Sequence, residues 1–140
     1  RAETEFEAFV LNEMCQFTGA FCNSLHCDEL GHLCRVPYWM EPVRDESEDE
    51  DATVPKYDDN GYLCGATGCG LCALYRLRDA GITHLKLVGR GNYTDFMEKD
   101  IRNLKTALGI LENTDTEAAF RTEMKKQIFP YGCSGNCYYL

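Results

Sequence analysis

No stretch of this sequence approaches the ~20 consecutive apolar residues that a membrane-spanning helix requires, which excludes such a helix. Basic residues are scarce. Fourteen Lys and Arg stand against 23 Asp and Glu, for a formal net charge of −9, a balance that argues against a broad nucleic-acid footprint built on phosphate neutralisation. Gly-x-Ser-x-Gly and His-Glu-x-x-His are both missing, so a protease reading must rest on some other nucleophile and base, such as Cys22 with His26. No internal repeat, initiator Met or secretory signal is visible. Arg1-Ala2-Glu3-Thr4 runs straight into the apolar stretch Phe6–Leu11, the mark expected of a chain cut from something larger.

What is present fits one soluble unit spanning 1–140: 44% hydrophobic and 26% charged residues over 140 positions. Much of the negative charge sits in Asp45-Glu46-Ser47-Glu48-Asp49-Glu50-Asp51, read as a solvated loop within 43–61. The rest is only mildly acidic, which leaves room for a local basic site facing an anionic ligand. Cysteine is the outlier, at positions 15, 22, 27, 34, 64, 69, 72, 133 and 137. Nine is odd, so a closed disulfide framework leaves one thiol over. Without a secretory signal, a cytoplasmic setting and metal ligation are the expectation.

Phe6–Leu11 is β-prone and predicts a buried strand. From Asn12 to Pro42, aromatics and four cysteines lie among turn formers with little periodic hydrophobicity, so a metal is expected to order the segment. Leu71, Leu74, Tyr75 and Leu77 fall at helical spacing within 70–80, and Gly81 is a natural stop. A short strand, 82–88, follows. The next helix, 93–111, carries an apolar stripe of Tyr93, Met97, Ile101, Leu104, Leu108 and Leu111. A further helix, 116–127, turns Ala119, Phe120 and Met124 inward, and the tail from Phe129 is a turn-rich hook. Strand, cysteine loop, helix, strand, helix is the order of an α/β unit with parallel strands, too short for a whole (β/α)8 barrel of about 250 residues.

Cys15-x6-Cys22, Cys34 and Cys69-x2-Cys72 are the spacings that carry chemistry. Thiolates are soft donors, and an iron–sulfur cluster takes four of them, which distant loops can supply. Cys69-Gly70-Leu71-Cys72 falls at a helix start, where the dipole favours thiolates. Zinc is the alternative occupant, since Cys-x2-Cys serves it equally. Cys64, Cys133 and Cys137 are left over for a second cluster. His26, His32 and His84 read as surface or packing residues, and Asn12 and Glu13 adjoin Cys15 without a readable role.

Several of these segments resemble peptidase family U32. Phe6-Glu7-Ala8-Phe9-Val10 followed by Cys15-x6-Cys22 is similar to the family's strand and first cysteine pair. Gly31-His32-Leu33-Cys34-Arg35-Val36-Pro37-Tyr38 is similar to its Cys-Arg-x-Pro-Tyr segment. Leu77 to Arg90 resembles its signature, a leucine and glycine before Lys-Ile-Glu-Gly-Arg. The likeness covers about 6–108. It implies the C-terminal portion of a (β/α) barrel-like domain carrying a cysteine-rich irregular loop, with the rest of the domain or a partner subunit completing the pocket. It also implies a 4Fe–4S cluster on Cys15, Cys22 and Cys34, with Cys69 where the family commonly has a further cysteine. Val88 stands at the signature's glutamate and Leu30 at a family cysteine, a gap that Cys27 or Cys72 can fill, so the fourth ligand stays open among Cys27, Cys64, Cys69 and Cys72.

Relatives that hydroxylate RNA or a quinone precursor without molecular oxygen, with prephenate as hydroxyl source, make an iron–sulfur hydroxylase part the implied function. A collagenase-like protease and a non-catalytic metal-stabilised binding module are the alternatives. Lys86 and Arg90 at the end of a barrel strand, with Arg35, are the implied binders of an anionic substrate. Structural ion pairing with nearby acids is the competing role for Lys86 and Arg90.

Overall fold

The computed structural model describes residues 4–12, 56–88 and 93–139. Strand β1 (Glu7–Leu11) lies parallel to β2 (His84–Leu87), with Glu7 opposite His84, Phe9 opposite Lys86 and an irregularity before Leu11 meets Leu87. Between them in sequence, a single 3-10 turn (Leu71–Ala73) runs into helix α1 (Leu74–Asp79); α2 (Thr94–Glu112) and α3 (Glu117–Gln127) follow β2. The described residues thus form a mixed α/β unit, and none of its helices is long and apolar enough to cross a membrane.

β1 is buried on one side only. Ala8, Val10 and Leu11 turn inward, whereas Phe6 and Phe9 stay exposed, because a two-stranded sheet with helices on one face leaves alternate side chains outside. The end of α1 follows its sequence signal. Gly81 takes φ +80, its N–H reaches Arg78 O, and Ile82 N–H reaches Leu77 O, which is the Schellman pattern. Thr83 and His84 then donate their N–H groups to Phe6 O and start the parallel pairing.

The long helix departs from its expected stripe. Tyr93 is 75% exposed and Ile101 56%, while Asp100, Ala107, Ile110 and Leu111 are buried. Leu111 is buried and Leu104 and Leu108 pack on the core as expected, but Asp100 and Ala107, rather than Tyr93 and Ile101, complete the inward side. Asp100 is buried here with hydrogen bonds from Asn12 and Tyr62. Tyr93 and Phe96 instead form an edge-packed aromatic run with Tyr62.

In α3, Thr116 accepts the Ala119 N–H on its side-chain oxygen and caps the helix. Phe120 and Met124 point inward as expected; Ala119 is exposed, being one step round from Phe120. Phe120 and Met124 join Val10, Leu11, Leu71, Leu74, Ala107, Ile110 and Phe129 in the core. Arg76 pairs with Glu117 at 3.0 Å, and Tyr75 OH donates to Asp115 O, tying α1 to α3.

Candidate metal centre

A chain of tight turns brings Cys64 and Cys69 to the end of β1. Asp58 starts it, accepting the N–H groups of Asn60 and Tyr62 on one carboxylate oxygen, while Lys99 of α2 holds the other at 2.5 Å. Gly65 sits at φ +70, and a Cβ there would lie 2.5 Å from Cys69 Cβ, so both conformation and space require glycine. Cys69 is stitched on both backbone sides: its N–H reaches Asn136 O at 2.7 Å and its carbonyl accepts from Tyr138 N at 2.8 Å. Bridges to Leu11 and Cys137 complete the link between β1 and the returning tail. Ser134 Oγ to Gly65 O and Asn136 Nδ2 to Ala66 O fasten the tail to the Cys64–Cys69 turn.

Five cysteines are thereby collected, all as free thiols: Cys64, Cys69, Cys72, Cys133 and Cys137. All except Cys64 line one small cavity of about 30 Å³ together with Arg121. Burial pushes the Cys64 thiol up to about 12. It drives Cys69 well above the usual thiol range, with Cys64 as the next cause. Burial also raises Cys72, helped by Cys133 and Cys137, and raises Cys137, helped by Cys133; Arg121 only partly opposes both shifts. The lowering expected from a helix start at Cys69-Cys72 is therefore reversed. The helix there is one 3-10 turn and six α-helical residues long, and burial is the largest cause of the upward shift at both thiols.

Thiols held neutral in this way ionise when a soft cation compensates the thiolate charge, so the donor chemistry fits a thiolate-bound group. Among the described residues, however, no three His, Cys, Asp or Glu side chains are gathered to hold a single metal ion. Cys15, Cys22 and Cys34, together with Arg35, Arg90, Cys27, His26, His32 and Glu13, lie outside the described residues. The structure therefore places Cys69 and Cys72 of the expected ligand set. Lys86 takes the ion-pairing role, donating to Glu7 Oε1 at 2.9 Å above the Phe9 ring. Both partners are about half exposed, and a pair of this kind contributes about 0–1 kcal/mol, little enough to be exchanged for an anionic ligand. His84 is an exposed surface residue beside Thr83.

Sequence reasoning missed a buried polar knot at the C-terminal ends of both strands. Asn12 Nδ2 donates to Asp100 Oδ2 at 2.6 Å, Tyr62 OH donates to Asp100 Oδ1 at 2.8 Å, and Asn103 Nδ2 donates to Tyr62 OH at 2.8 Å. The available signal was an acid at helical spacing with Leu104, Ala107 and Leu111. Burial raises the Asp100 pKa, and the hydrogen bonds from Asn12 and Tyr62 oppose it. The native chain thus holds this proton more tightly than the unfolded chain. The associated stability is complete below the ordinary carboxylate range and is lost as pH rises through the raised native value. Asp100→Asn removes that slope. In denaturant unfolding of both proteins between acid and neutral pH, the stability difference, wild type minus variant, is expected to shrink as pH rises; a constant difference refutes the assignment.

The sequence model of peptidase family U32 matches residues 1–139. Comparison with curated proteins and with solved structures returned no match.

Proposed function

The chain belongs to peptidase family U32, and on that premise we propose that it is an iron–sulfur protein whose 4Fe–4S cluster is held by Cys15, Cys22, Cys34 and Cys69. The observation that carries the reading is Cys69: buried, fixed through both backbone groups to β1 and the tail, and lining one cavity with Cys72, Cys133 and Cys137. Cys72 is the adjacent candidate for the same role. When bound, such a cluster would supply one-electron redox chemistry.

Around it, the chain's own residues bind and orient. Arg90 and Arg35 would grip a carboxylate with paired hydrogen bonds, and Lys86 would exchange Glu7 for the same anion. The reaction class is oxygen-independent hydroxylation of RNA or a small aromatic precursor. The parallel β1–β2 unit would form the C-terminal part of a (β/α) barrel-like domain, 43–61 its acidic loop, and the remaining strands or a partner subunit would complete the substrate pocket in the cytoplasm. Collagenase-like proteolysis is the second family reading. Its candidate nucleophile and base, Cys22 and His26, lie outside the described residues.

Protein purified without oxygen is expected to be brown, with about four iron and four sulfide per chain. Colourless protein carrying one tightly bound zinc overturns this reading.

A further inference from the structure

Asn12 is the last described residue before the cysteine-rich segment, and it is buried in a left-handed backbone conformation, φ 68. Non-glycine residues adopt this region at a cost, so surrounding contacts must hold it there. Three of its groups are held, by four hydrogen bonds. Its N–H donates to Gly68 O at 2.9 Å, and its carbonyl accepts from Tyr138 OH. Its side-chain amide donates to Asp100 and, at 3.5 Å, to Val88 O. Val88 in turn donates its N–H to Leu11 O and is the last described residue before Arg90.

One amide and one carboxylate therefore sit where the chain leaves both parallel strands, the side of such sheets on which sites are built. The geometry points to Asn12 and Asp100 as a pair of positioning residues: together they fix the backbone where it leaves β1 at Asn12 and β2 at Val88, the last described residues before Cys15 and Arg90. The inference rests on the cluster reading for what Cys15 does, and on the printed contacts alone for the anchoring itself. Asp100 is 1% exposed on a core-facing helix position, where an apolar residue of similar size is the ordinary choice. An acid at this buried position is accounted for by the two donors it receives, and through Tyr62 it also reaches the turn that carries Cys64.

Three variants of the full chain separate anchoring from mere folding. Asp100→Asn keeps an acceptor for Asn12 and a group able to pair with Tyr62. Asn12→Gly keeps the left-handed backbone at no steric cost but removes the side chain. Asp100→Ala removes both acceptors. At a temperature where circular dichroism shows all of them folded, iron loss to a chelator is expected to be at least tenfold faster in Asn12→Gly and Asp100→Ala, and within about twofold of wild type in Asp100→Asn. Loss at the wild-type rate in both damaging variants overturns the inference.

A second readout does not need iron. Amide hydrogen exchange of metal-free protein, followed by mass spectrometry on peptides covering 12–22 and 86–93, is expected to accelerate in Asn12→Gly and Asp100→Ala but not in Asp100→Asn. Unchanged exchange in all three variants refutes the anchoring, even where iron is bound. Accelerated exchange in a protein that never binds iron refutes the cluster reading and leaves the anchoring standing.

Discussion

Serine at Cys15, Cys22, Cys34 or Cys69, introduced one at a time, is expected to reduce iron from about four per chain to less than one. A hydroxyl is a harder, far less acidic donor than a thiol, and a cluster deprived of one of four thiolates is exposed to solvent at the vacated iron. Cys27→Ser serves as the control and is expected to retain full iron. Of the four proposed ligands, Cys69 also has a structural role, yet its stitching runs through backbone groups that serine preserves. Folding of Cys69→Ser is accordingly expected to survive, and its melting curve under metal-free conditions checks this. Full iron content in Cys15→Ser, Cys22→Ser and Cys34→Ser refutes the ligand assignment. Full content in Cys69→Ser alone moves the fourth ligand to Cys72 or Cys64.

Phe120→Ala is expected to destabilise the fold by about 3–5 kcal/mol, roughly a fifth or more of the total stability of a typical domain. Phe120 is fully buried in the core, with the Tyr75 ring 6.4 Å away, so its truncation leaves a void among packed side chains. Ile101→Ala is the informative partner. Were the stripe through Tyr93, Met97 and Ile101 the inward face of α2, its loss would cost about 2–5 kcal/mol. With Ile101 more than half exposed, the expected change is within about 0.5 kcal/mol. Guanidinium unfolding of the two variants measures both, and a large loss in Ile101→Ala would contradict the exposure of Ile101.

Much of the local structure was legible because its causes are local. Gly81 ends α1 since glycine alone adopts φ +80 without strain, and Thr116 caps α3 through a hydroxyl three residues from the N–H it accepts. The parallel pairing of the 7–11 and 84–87 strands was implied by their order around a helix. The inward place of Asp100 on α2 was not legible, since hydrophobicity ranks Tyr93 and Ile101 above Asp100 at every stage before its partners are known. Nor was the sign of the thiol shifts at Cys69 and Cys72. A helix start is visible in sequence and argues for lower values, whereas the burial that raises them depends on a tail more than sixty residues away.

By itself, then, the amino-acid sequence determined the class of the fold, the family, the helix stops and the supply of thiols, because composition, spacing and glycine or capping positions act over a few residues. Only the tertiary structure decided which thiols share a neighbourhood and that Lys86 faces Glu7. It alone brought Asn12, Tyr62 and Asp100 together across 38 to 88 positions of chain. Those contacts depend on desolvation and on hydrogen-bond partners from separate elements. Both exist only once β1, α2 and the turn carrying Cys64 have packed, and both set the charge that a buried carboxyl or thiol can hold.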